Sequence, residues 1–242
     1  MPNPFIRKLD GFERLHDEDR AWLLSLSSRP KHVDADQDLI REGDKPENVH
    51  LILEGFAMRY KITARGRRQI FAYMIPGDFC DLNVALLKKM DHSVGTLSPC
   101  QVVELSPSTI VELTERRPSL VRALWMCSLV DEATLREWLV NLGQRSAAQR
   151  ISHLFCELHV RMQAVSLTDK GSFELPITQS ELGDTMGLSI VHVNRSLKDL
   201  RESGLVTLRD ERILIPDVIR LKEYADFDPS YLHLRWPRGE RK

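Results

Sequence analysis

The chain has 242 residues, enough for one large domain or two ordinary ones, each with its own core. Lys and Arg total 34 against 35 Asp and Glu, so the net charge is −1 and any nucleic-acid-binding surface must be local. No apolar run reaches the ~18 residues of a membrane-spanning helix, and the N-terminus lacks a signal-peptide core, so we predict a cytoplasmic protein that does not enter a membrane.

A short helix is predicted around 17–26, ahead of a region of evenly spaced turns. The turns contain glycine or proline and recur about one strand apart, at 42–44, 54–55, 65–66 and 76–78. The segments between and after them are short and rich in Val, Ile and aromatic residues: "NVHLIL", "FAMRYKI", "RQIFAYMI" and "CQVVELS". Such segments predict an antiparallel barrel, roll or sandwich over about 33–106.

Residues that could bind a metal are sparse. The four cysteines contain no C-x-x-C pair, which argues against a zinc module and lends little support to an iron–sulfur cluster. A cupin-type oxygenase would need a compact H-x-H pair, and the barrel region has none, so we predict no enzymatic activity. We predict four buried, reduced thiols and leave open a redox role for one of them: Cys80, Cys100, Cys127 and Cys156.

From Pro118, well placed in the first turn of a helix, to about Gly143 the chain has no glycine or further proline, which predicts one long helix. Its apolar side chains, widened by Trp125, Leu129 and Trp138, cover more than one face. Such a helix can pack on its own domain with one face and on a second copy with the other. We therefore predict a homodimer that forms through Leu124, Ser128, Leu135, Leu139 and Leu142. The alternative is a monomer whose C-terminal domain covers the second face.

A hinge is predicted at Gly143, and Ser146 can cap the helix that follows it. The apolar residues of that helix recur at helical spacing and predict a second core: Ala147, Ile151, Leu154 and Leu158. The chain therefore divides near residue 143.

The segment "TQSELGDTMGLSIVHVNRSLKDLRESGLV" predicts two short helices joined by a tight turn. Thr178 and Glu181 form a capping box, Gly187 ends the first helix, and Ser189 caps the second. One side of the second helix is an apolar stripe of Ile190, Val193, Leu197 and Leu200. The other side carries Val191, His192, Asn194, Arg195 and Lys198. This pattern is typical of a helix-turn-helix whose second helix enters a DNA major groove, although a helical hairpin with a solvated outer face would share it.

The following stretch "VTLRDERILIPD" predicts a strand, a charged turn at 209–212 and a second strand, which is the β-hairpin wing that often follows such a helix pair. Basic residues gather locally around the helix and the wing, although four acidic residues dilute them: Arg195, Lys198, Arg201, Arg209 and Arg212.

In this order the modules resemble the Crp/Fnr family of bacterial transcription regulators. The specific segments are "LIREGDKPENVHLILEGFAMRY", "IPGDF", "NLGQRSAAQRISHLFCEL" and the helix-turn-helix segment. The resemblance implies an α+β chain with an N-terminal antiparallel β-roll of the cyclic-nucleotide-binding type, a long dimerisation helix and a C-terminal winged helix-turn-helix. We assign 1–116 to the sensor roll, 117–143 to the dimerisation helix with its hinge, and 144–242 to the DNA-binding domain.

The resemblance also implies a homodimer that binds a pseudo-palindromic operator in double-stranded DNA and contacts RNA polymerase. It makes Arg195 the arginine that meets a guanine, with Ser189, Ile190, Val191 and Asn194 at neighbouring contact positions; we expect Lys198 to touch a phosphate. Many members carry a glutamate where this chain has Val191. A valine offers only apolar contact, for instance to a thymine methyl, so the familiar half-site does not carry over.

The roll departs further from the family's cyclic-nucleotide binders. In "PGDFCDLN" the pair Asp81-Leu82 replaces a Gly-Glu pair, and in "DHSV" the pair His92-Ser93 replaces the Arg-Ser or Arg-Thr pair that holds the phosphate. Leu135 and Arg136 stand near positions where the cyclic-AMP receptor has small hydroxyls. We therefore predict that cyclic AMP does not bind.

Other known sensors of the family are not matched either. The first cysteine is Cys80, so the N-terminal cysteine cluster of the oxygen-sensing branch is missing, and a lone His92 gives no support to haem or metal binding. The effector remains unassigned. A regulatory ligand-binding module without DNA contacts stays open as the alternative function.

Overall fold

The computed structural model describes residues 3–80 and 87–234. Within them the helices are α1 (Pro4–Asp10), α2 (Asp17–Leu26), α3 (Pro107–Arg116), α4 (Pro118–Gln144), α5 (Ala147–Ala164), α6 (Gln179–Met186), α7 (Ile190–Glu202) and α8 (Val218–Ala225), followed by a 3₁₀ turn at Pro229–Leu232. The strands are β1 (Lys31–Val33), β2 (Asp38–Ile40), β3 (Val49–Glu54), β4 (Ala57–Ile62), β5 (Arg68–Met74), β6 (Ser93–Thr96), β7 (Cys100–Leu105), β8 (Ser172–Glu174), β9 (Thr207–Arg209) and β10 (Arg212–Leu214).

Strands β1 to β7 form an N-terminal roll of two antiparallel sheets, with strand orders β1-β7-β3 and β2-β6-β4-β5. The predicted strands are confirmed as β3, β4, β5 and β7. Strands β1, β2 and β6 are not predicted from the sequence, because three or four residues are too few for an alternating pattern to stand out. Both sheets contribute side chains to the core between them, among them Ile40, Ile52, Ala57, Met74, Val94 and Val102.

The predicted long helix is confirmed as α4, but the hinge is not where the sequence analysis puts it. The helix continues through Gly143 to Gln144, and the break falls at Arg145 and Ser146. A glycine near a helix end costs only about 1 kcal/mol, whereas the extended backbone of Ser146 and its capping box with Gln149 start a new helix. Among the described helices, none is both long enough and apolar enough to cross a membrane.

The C-terminal domain packs helices α6, α7 and α8 around α5. The predicted inward face of α5 is confirmed by the buried Ile151, Leu154 and Leu158, while Ala147 is half-buried at the first turn. One hydrophobic cluster continues from α1 and the roll through α4 into this domain. All four cysteines are buried, as predicted, and none forms a disulfide within the described residues.

The carboxylate of Asp78, in the "IPGDF" segment, joins distant parts of the chain. Lys8 Nζ donates to Asp78 Oδ1 at 2.6 Å, and Arg161 Nη2 donates to Asp78 Oδ2 at 2.7 Å. Arg161 Nη1 also donates to Glu157 Oε1 at 2.9 Å, and Glu157 Oε2 accepts from Trp138 Nε1 at 2.8 Å. These buried contacts tie α1, the roll, α4 and α5 together.

Acid should weaken this junction. Burial alone would raise the pKa of the Asp78 carboxyl, but Lys8 and Arg161 outweigh burial and lower that pKa to about 2. The pKa of an unfolded aspartate is about 3.9, so the carboxylate stabilises the fold fully above about pH 4 and loses that effect as the pH falls toward 2. At neutral pH the contribution is about 2–3 kcal/mol. Asp78→Asn should therefore flatten the fall in the free energy of unfolding below about pH 4, measured by urea denaturation.

The matched control is Asp34→Asn, because the Asp34 side chain is 84% exposed and, among the described residues, pairs with the exposed His32 alone. With Asp34→Asn the free energy of unfolding should fall below about pH 4 as it does in the wild type. If the free energy of unfolding of Asp78→Asn falls below about pH 4 as steeply as that of the wild type, this account of the junction is wrong.

Candidate nucleic-acid interface

The predicted helix pair is confirmed as α6 and α7, with each capping interaction in place. Thr178 Oγ1 accepts from the Glu181 backbone N–H at 3.2 Å, and Glu181 Oε2 accepts from the Thr178 backbone N–H at 2.7 Å. Gly187 ends α6 in the left-handed conformation, with φ 63° and ψ 34°. Ser189 Oγ then accepts from the His192 backbone N–H at the start of α7.

The tight turn also requires Gly183, which is not among the residues predicted to form it. The Leu188 backbone N–H donates to Gly183 O at 3.1 Å, so the chain folds back directly onto this residue. A Cβ at position 183 would lie 2.8 Å from Leu188 O, closer than a side chain can approach. A glycine four residues before the turn glycine is the signal that the sequence offers.

The buried side of α7 holds Val193, Leu197 and Leu200, as predicted, together with Ser196. Ile190 does not belong to that stripe: its side chain is 52% exposed. It is the first residue of α7, where the core does not cover its side chain, so helical spacing alone assigns it to the wrong environment. Its exposure leaves it available for contact with a ligand of this face.

All six residues predicted to contact DNA lie on the exposed side of the helix pair: Ser189, Ile190, Val191, Asn194, Arg195 and Lys198. Val191, Asn194, Arg195 and Lys198 follow the spacing that places side chains on one helix face. Within the described residues Arg195 has neither an ion pair nor a hydrogen bond to its side chain, while Lys198 Nζ lies 3.6 Å from Glu202 Oε1 at the surface. The outer face of α7 therefore presents hydrogen-bond donors to solvent.

The predicted wing is confirmed as the antiparallel pair β9 and β10, in which Arg209 lies opposite Arg212. Asp210 and Glu211 both have positive φ, of 51° and 55°, as a two-residue hairpin turn requires. The short strand β8, which the sequence analysis misses, pairs with the other edge of β10. The wing is thus the outer hairpin of a three-stranded sheet.

A cavity of about 450 Å³ lies where β5 faces the long helix, and it is lined in part by Arg59, Phe71, Tyr73, His92, Asp131 and Leu135. Arg59 Nη1 donates to Asp131 Oδ2 at 3.0 Å, and Arg59 Nη2 donates to Phe79 O at 2.9 Å. A half-buried ion pair thus joins β4 to α4 at the cavity.

The residues at the predicted phosphate position are engaged with the protein itself. His92 Nδ1 lies 2.7 Å from Asp91 Oδ1, and the His92 ring packs edge-on against Phe71. Ser93 Oγ accepts from the Glu42 backbone N–H at 2.9 Å. Asp81 and Leu82 lie outside the described residues. Among the described residues, no group of three or more His, Cys, Asp or Glu side chains is arranged to hold a metal ion.

The apolar surface of α4 differs from the predicted dimer contacts. Leu124 is only 3% exposed and belongs to the chain's own core, so its assignment to a dimer interface is corrected. Ser128 and Leu142 are half-buried, whereas Leu135 and Leu139 are exposed. Trp125 and Leu129, with 67% and 51% exposure, lie within about 40° of each other around the helix. The exposed apolar face is therefore centred on Trp125. It is rotated about the axis of α4 relative to the residues predicted to form the dimer contact.

A two-sheet roll, a long helix and a winged helix-turn-helix with an exposed second helix define a class of protein that joins a cyclic-nucleotide-binding-type roll to a DNA-binding domain. Residues 149–224 match the family model of the Crp-like helix-turn-helix domain, and residues 30–117 match that of the cyclic nucleotide-binding domain. The chain belongs to the Crp/Fnr family of transcription regulators.

Relatives of the chain are regulators of transcription. It is 26% identical to the nitrogen fixation regulation protein FixK of Azorhizobium caulinodans over 198 residues, which cover 81% of this chain and 79% of that protein. It is also 26% identical to the transcriptional activator protein FnrL of Cereibacter sphaeroides over 198 residues, 80% of this chain and 79% of that protein. The structure of FixK2 from Bradyrhizobium japonicum matches with a TM-score of 0.71 at 22% identity, covering 81% of this chain and 96% of that one, which establishes the shared fold.

Proposed function

We propose that this transcription regulator works as a cytoplasmic homodimer that reads a pseudo-palindromic operator in double-stranded DNA and acts on RNA polymerase. The observation that carries the proposal is the outer face of α7, where Arg195 is exposed and lacks a partner within the described residues. A capped turn precedes α7 and the wing follows it, and both support the position of that face. In this proposal the signal is sensed by residues 1–116, the dimer forms through residues 117–143, and DNA is bound by residues 144–242.

Each side chain on the outer face has a distinct proposed contact. The guanidinium fork of Arg195 matches O6 and N7 of guanine, and Val191 offers a methyl contact to thymine. Ser189, Ile190 and Asn194 would contact neighbouring positions of the half-site. Lys198 lies one turn further along α7 and would meet a phosphate, which adds affinity but carries no sequence information.

The proposed dimer rests on the exposed apolar face of α4. Leu139 is 71% exposed and lies on the same side as Trp125 and Leu129, so a second copy of α4 could cover all three. Packing of two such helices about a two-fold axis would place the two α7 helices in successive major grooves. The half-site centres would then lie about one helical turn, or roughly 10 base pairs, apart.

The cavity between the roll and α4 is the proposed sensing site. It touches both the roll and the long helix, so a bound signal could change the position of the helix-turn-helix relative to the dimer axis. The ion pair of Arg59 with Asp131 spans the same space, and a ligand there would have to accommodate or replace it.

Cyclic AMP at millimolar concentration should leave both the melting temperature and the DNA affinity unchanged. His92, which stands in place of the phosphate-binding arginine, is held by Asp91, and Ser93 is already used by the backbone of Glu42. A ligand at one hundred times its dissociation constant would add about 2.7 kcal/mol to stability. Differential scanning fluorimetry, with a cyclic-AMP-binding family member as positive control, measures this directly. A clear upward shift with cyclic AMP would overturn the prediction.

A gel-shift experiment with DNA from upstream of the protein's own gene tests the proposed function. Specific binding by the wild type, with loss of binding in Arg195→Ala, is the expected result. The alternative is a regulatory ligand-binding module without DNA contacts, for which the cavity would suffice. Absence of specific binding to that DNA and to duplexes selected from a random pool would favour this alternative.

A further inference from the structure

The turn between β4 and β5 is the most basic part of the roll. Residues 55–77 contain five Lys or Arg and neither Asp nor Glu, in a chain whose net charge is −1. Three of the five have ion-pair partners: Arg59 with Asp131, Lys61 with Glu42, and Arg68 with Asp184. The other two, Arg65 and Arg67, are exposed at the turn, and within residues 3–80 and 87–234 their side chains form no ion pair or hydrogen bond.

Backbone hydrogen bonds hold the turn in a defined shape. The Thr63 N–H donates to Arg67 O at 2.8 Å, and the Gly66 N–H donates to Thr63 O at 2.8 Å. Thr63 Oγ1 also accepts from the Arg67 N–H at 3.2 Å. The guanidinium groups of Arg65 and Arg67 therefore project from a formed hairpin end.

Strand β5, which follows this turn, is hydrogen-bonded to α6, the first helix of the helix-turn-helix. Arg68 Nε donates to Asp184 Oδ2 at 2.7 Å, and Gln69 Nε2 donates to Thr185 O at 3.1 Å. Further along β5, the buried Tyr73 hydroxyl lies 2.5 Å from Thr185 Oγ1. Arg67 is the direct neighbour of Arg68 in the chain. Arg65 precedes Arg68 by three residues, so it lies at most about 11 Å from Arg68. The turn that carries both arginines therefore adjoins the strand residues that contact α6.

The position beside α6 determines what these arginines can reach. In a bound helix-turn-helix the second helix enters the major groove while the first helix crosses the phosphate backbone. Duplex DNA carries one negative charge about every 1.7 Å along its axis, and a guanidinium group pairs with phosphate in a two-pronged geometry. In this protein the first helix is α6, so α6 would cross the phosphate backbone. The basic turn next to it would then lie close to phosphates that α6 itself does not contact.

We propose that the β4–β5 turn of the roll is a second DNA contact, in which Arg65 and Arg67 bind phosphates that flank the half-site read by α7. This inference rests on the proposed DNA-binding function. The turn suits a phosphate backbone better than a protein partner, because Ile62 is its one exposed large apolar side chain and protein interfaces need aromatic or aliphatic anchors at their centre.

The contact would also make DNA affinity depend on the arrangement of the two domains. Arg65 and Arg67 belong to the roll, whereas α7 belongs to the C-terminal domain. Both can engage the same duplex only while Arg68, Gln69 and Tyr73 hold α6 against β5. A signal that loosened this contact would lower affinity without touching α7.

The experiment compares the double variant Arg65→Gln/Arg67→Gln with wild type across 50–200 mM salt. The DNA is a selected operator, either with long flanks or trimmed to the two half-sites. On the long duplex the slope of log K against log salt should fall by about 0.9 for each phosphate that no longer has an arginine partner, or about 2–4 for both subunits together. On the trimmed duplex the variant should match the wild type.

Two further variants sharpen the comparison. Arg65→Lys/Arg67→Lys keeps the charge and should retain most of the wild-type slope. Arg29→Gln/Lys45→Gln removes two exposed cations that also lack ion pairs within the described residues. Arg29 precedes β1 in the other sheet, and Lys45 follows β2 at the sheet edge opposite β5, so this control should bind as wild type does.

The outcomes separate this inference from the function on which it rests. If the wild type binds no selected duplex, the proposed DNA-binding function is wrong. If the wild type binds and Arg195→Ala loses affinity, but Arg65→Gln/Arg67→Gln keeps the wild-type salt slope on the long duplex, the turn does not contact DNA. An equal loss of slope on the long and the trimmed duplex would overturn the flanking position.

Discussion

Replacement of Arg195 by alanine is expected to lower operator affinity by about 1–3 kcal/mol per half-site and to relax discrimination at one base pair of each half-site. The reason is geometric: the side chain projects from the exposed face of a capped helix, and its fork can make two hydrogen bonds to one guanine. A symmetric dimer doubles the loss. Binding to a panel of single-base operator variants, compared with wild type, measures both effects.

Lys198→Ala is the matched comparison on the same helix face. Because a phosphate contact carries no sequence information, this variant should weaken binding to every duplex alike and lower the salt slope by about 1 per subunit. Arg195 and Lys198 are both exposed, so both variants should keep the wild-type melting temperature. Full affinity and unchanged base preference in Arg195→Ala would mean that α7 does not read DNA and that its outer face is merely solvated.

Leu139→Glu is expected to convert the proposed dimer to a monomer. The side chain lies on the exposed apolar face of α4, so pairing of two such helices would bury an unpaired carboxylate at a cost of several kcal/mol. Sedimentation velocity should show the smaller species. Operator affinity should fall with it, because a monomer presents only one α7 to two half-sites.

Two controls distinguish a dimer interface from a general effect of charge. Leu24→Glu changes another exposed leucine, on α2, and should leave the dimer intact. Leu124→Glu places the charge in the chain's own core and should lower the melting temperature itself. A dimer that persists in Leu139→Glu and also in Trp125→Glu would place the interface elsewhere or leave this face for another partner.

The elements that the sequence determined are those encoded within a few residues. The capping box of Thr178 and Glu181, the left-handed Gly187 and the cap at Ser189 each involve groups at most four residues apart, so the helix-turn-helix could be predicted directly. The same holds for the wing, whose charged turn lies between two short apolar runs. The order of the modules then indicated the family.

Which surfaces are covered and which charges meet depends on contacts between distant parts of the chain. Helical spacing put Ile190 in the core and Leu124 at the surface of a dimer, and both are reversed, because exposure depends on which element packs against each turn. The contacts of Asp78 with Lys8 and of Tyr73 with Thr185 join residues 70 and 112 positions apart. No local pattern records such pairs, since they form only when the roll, α1 and the C-terminal domain pack together.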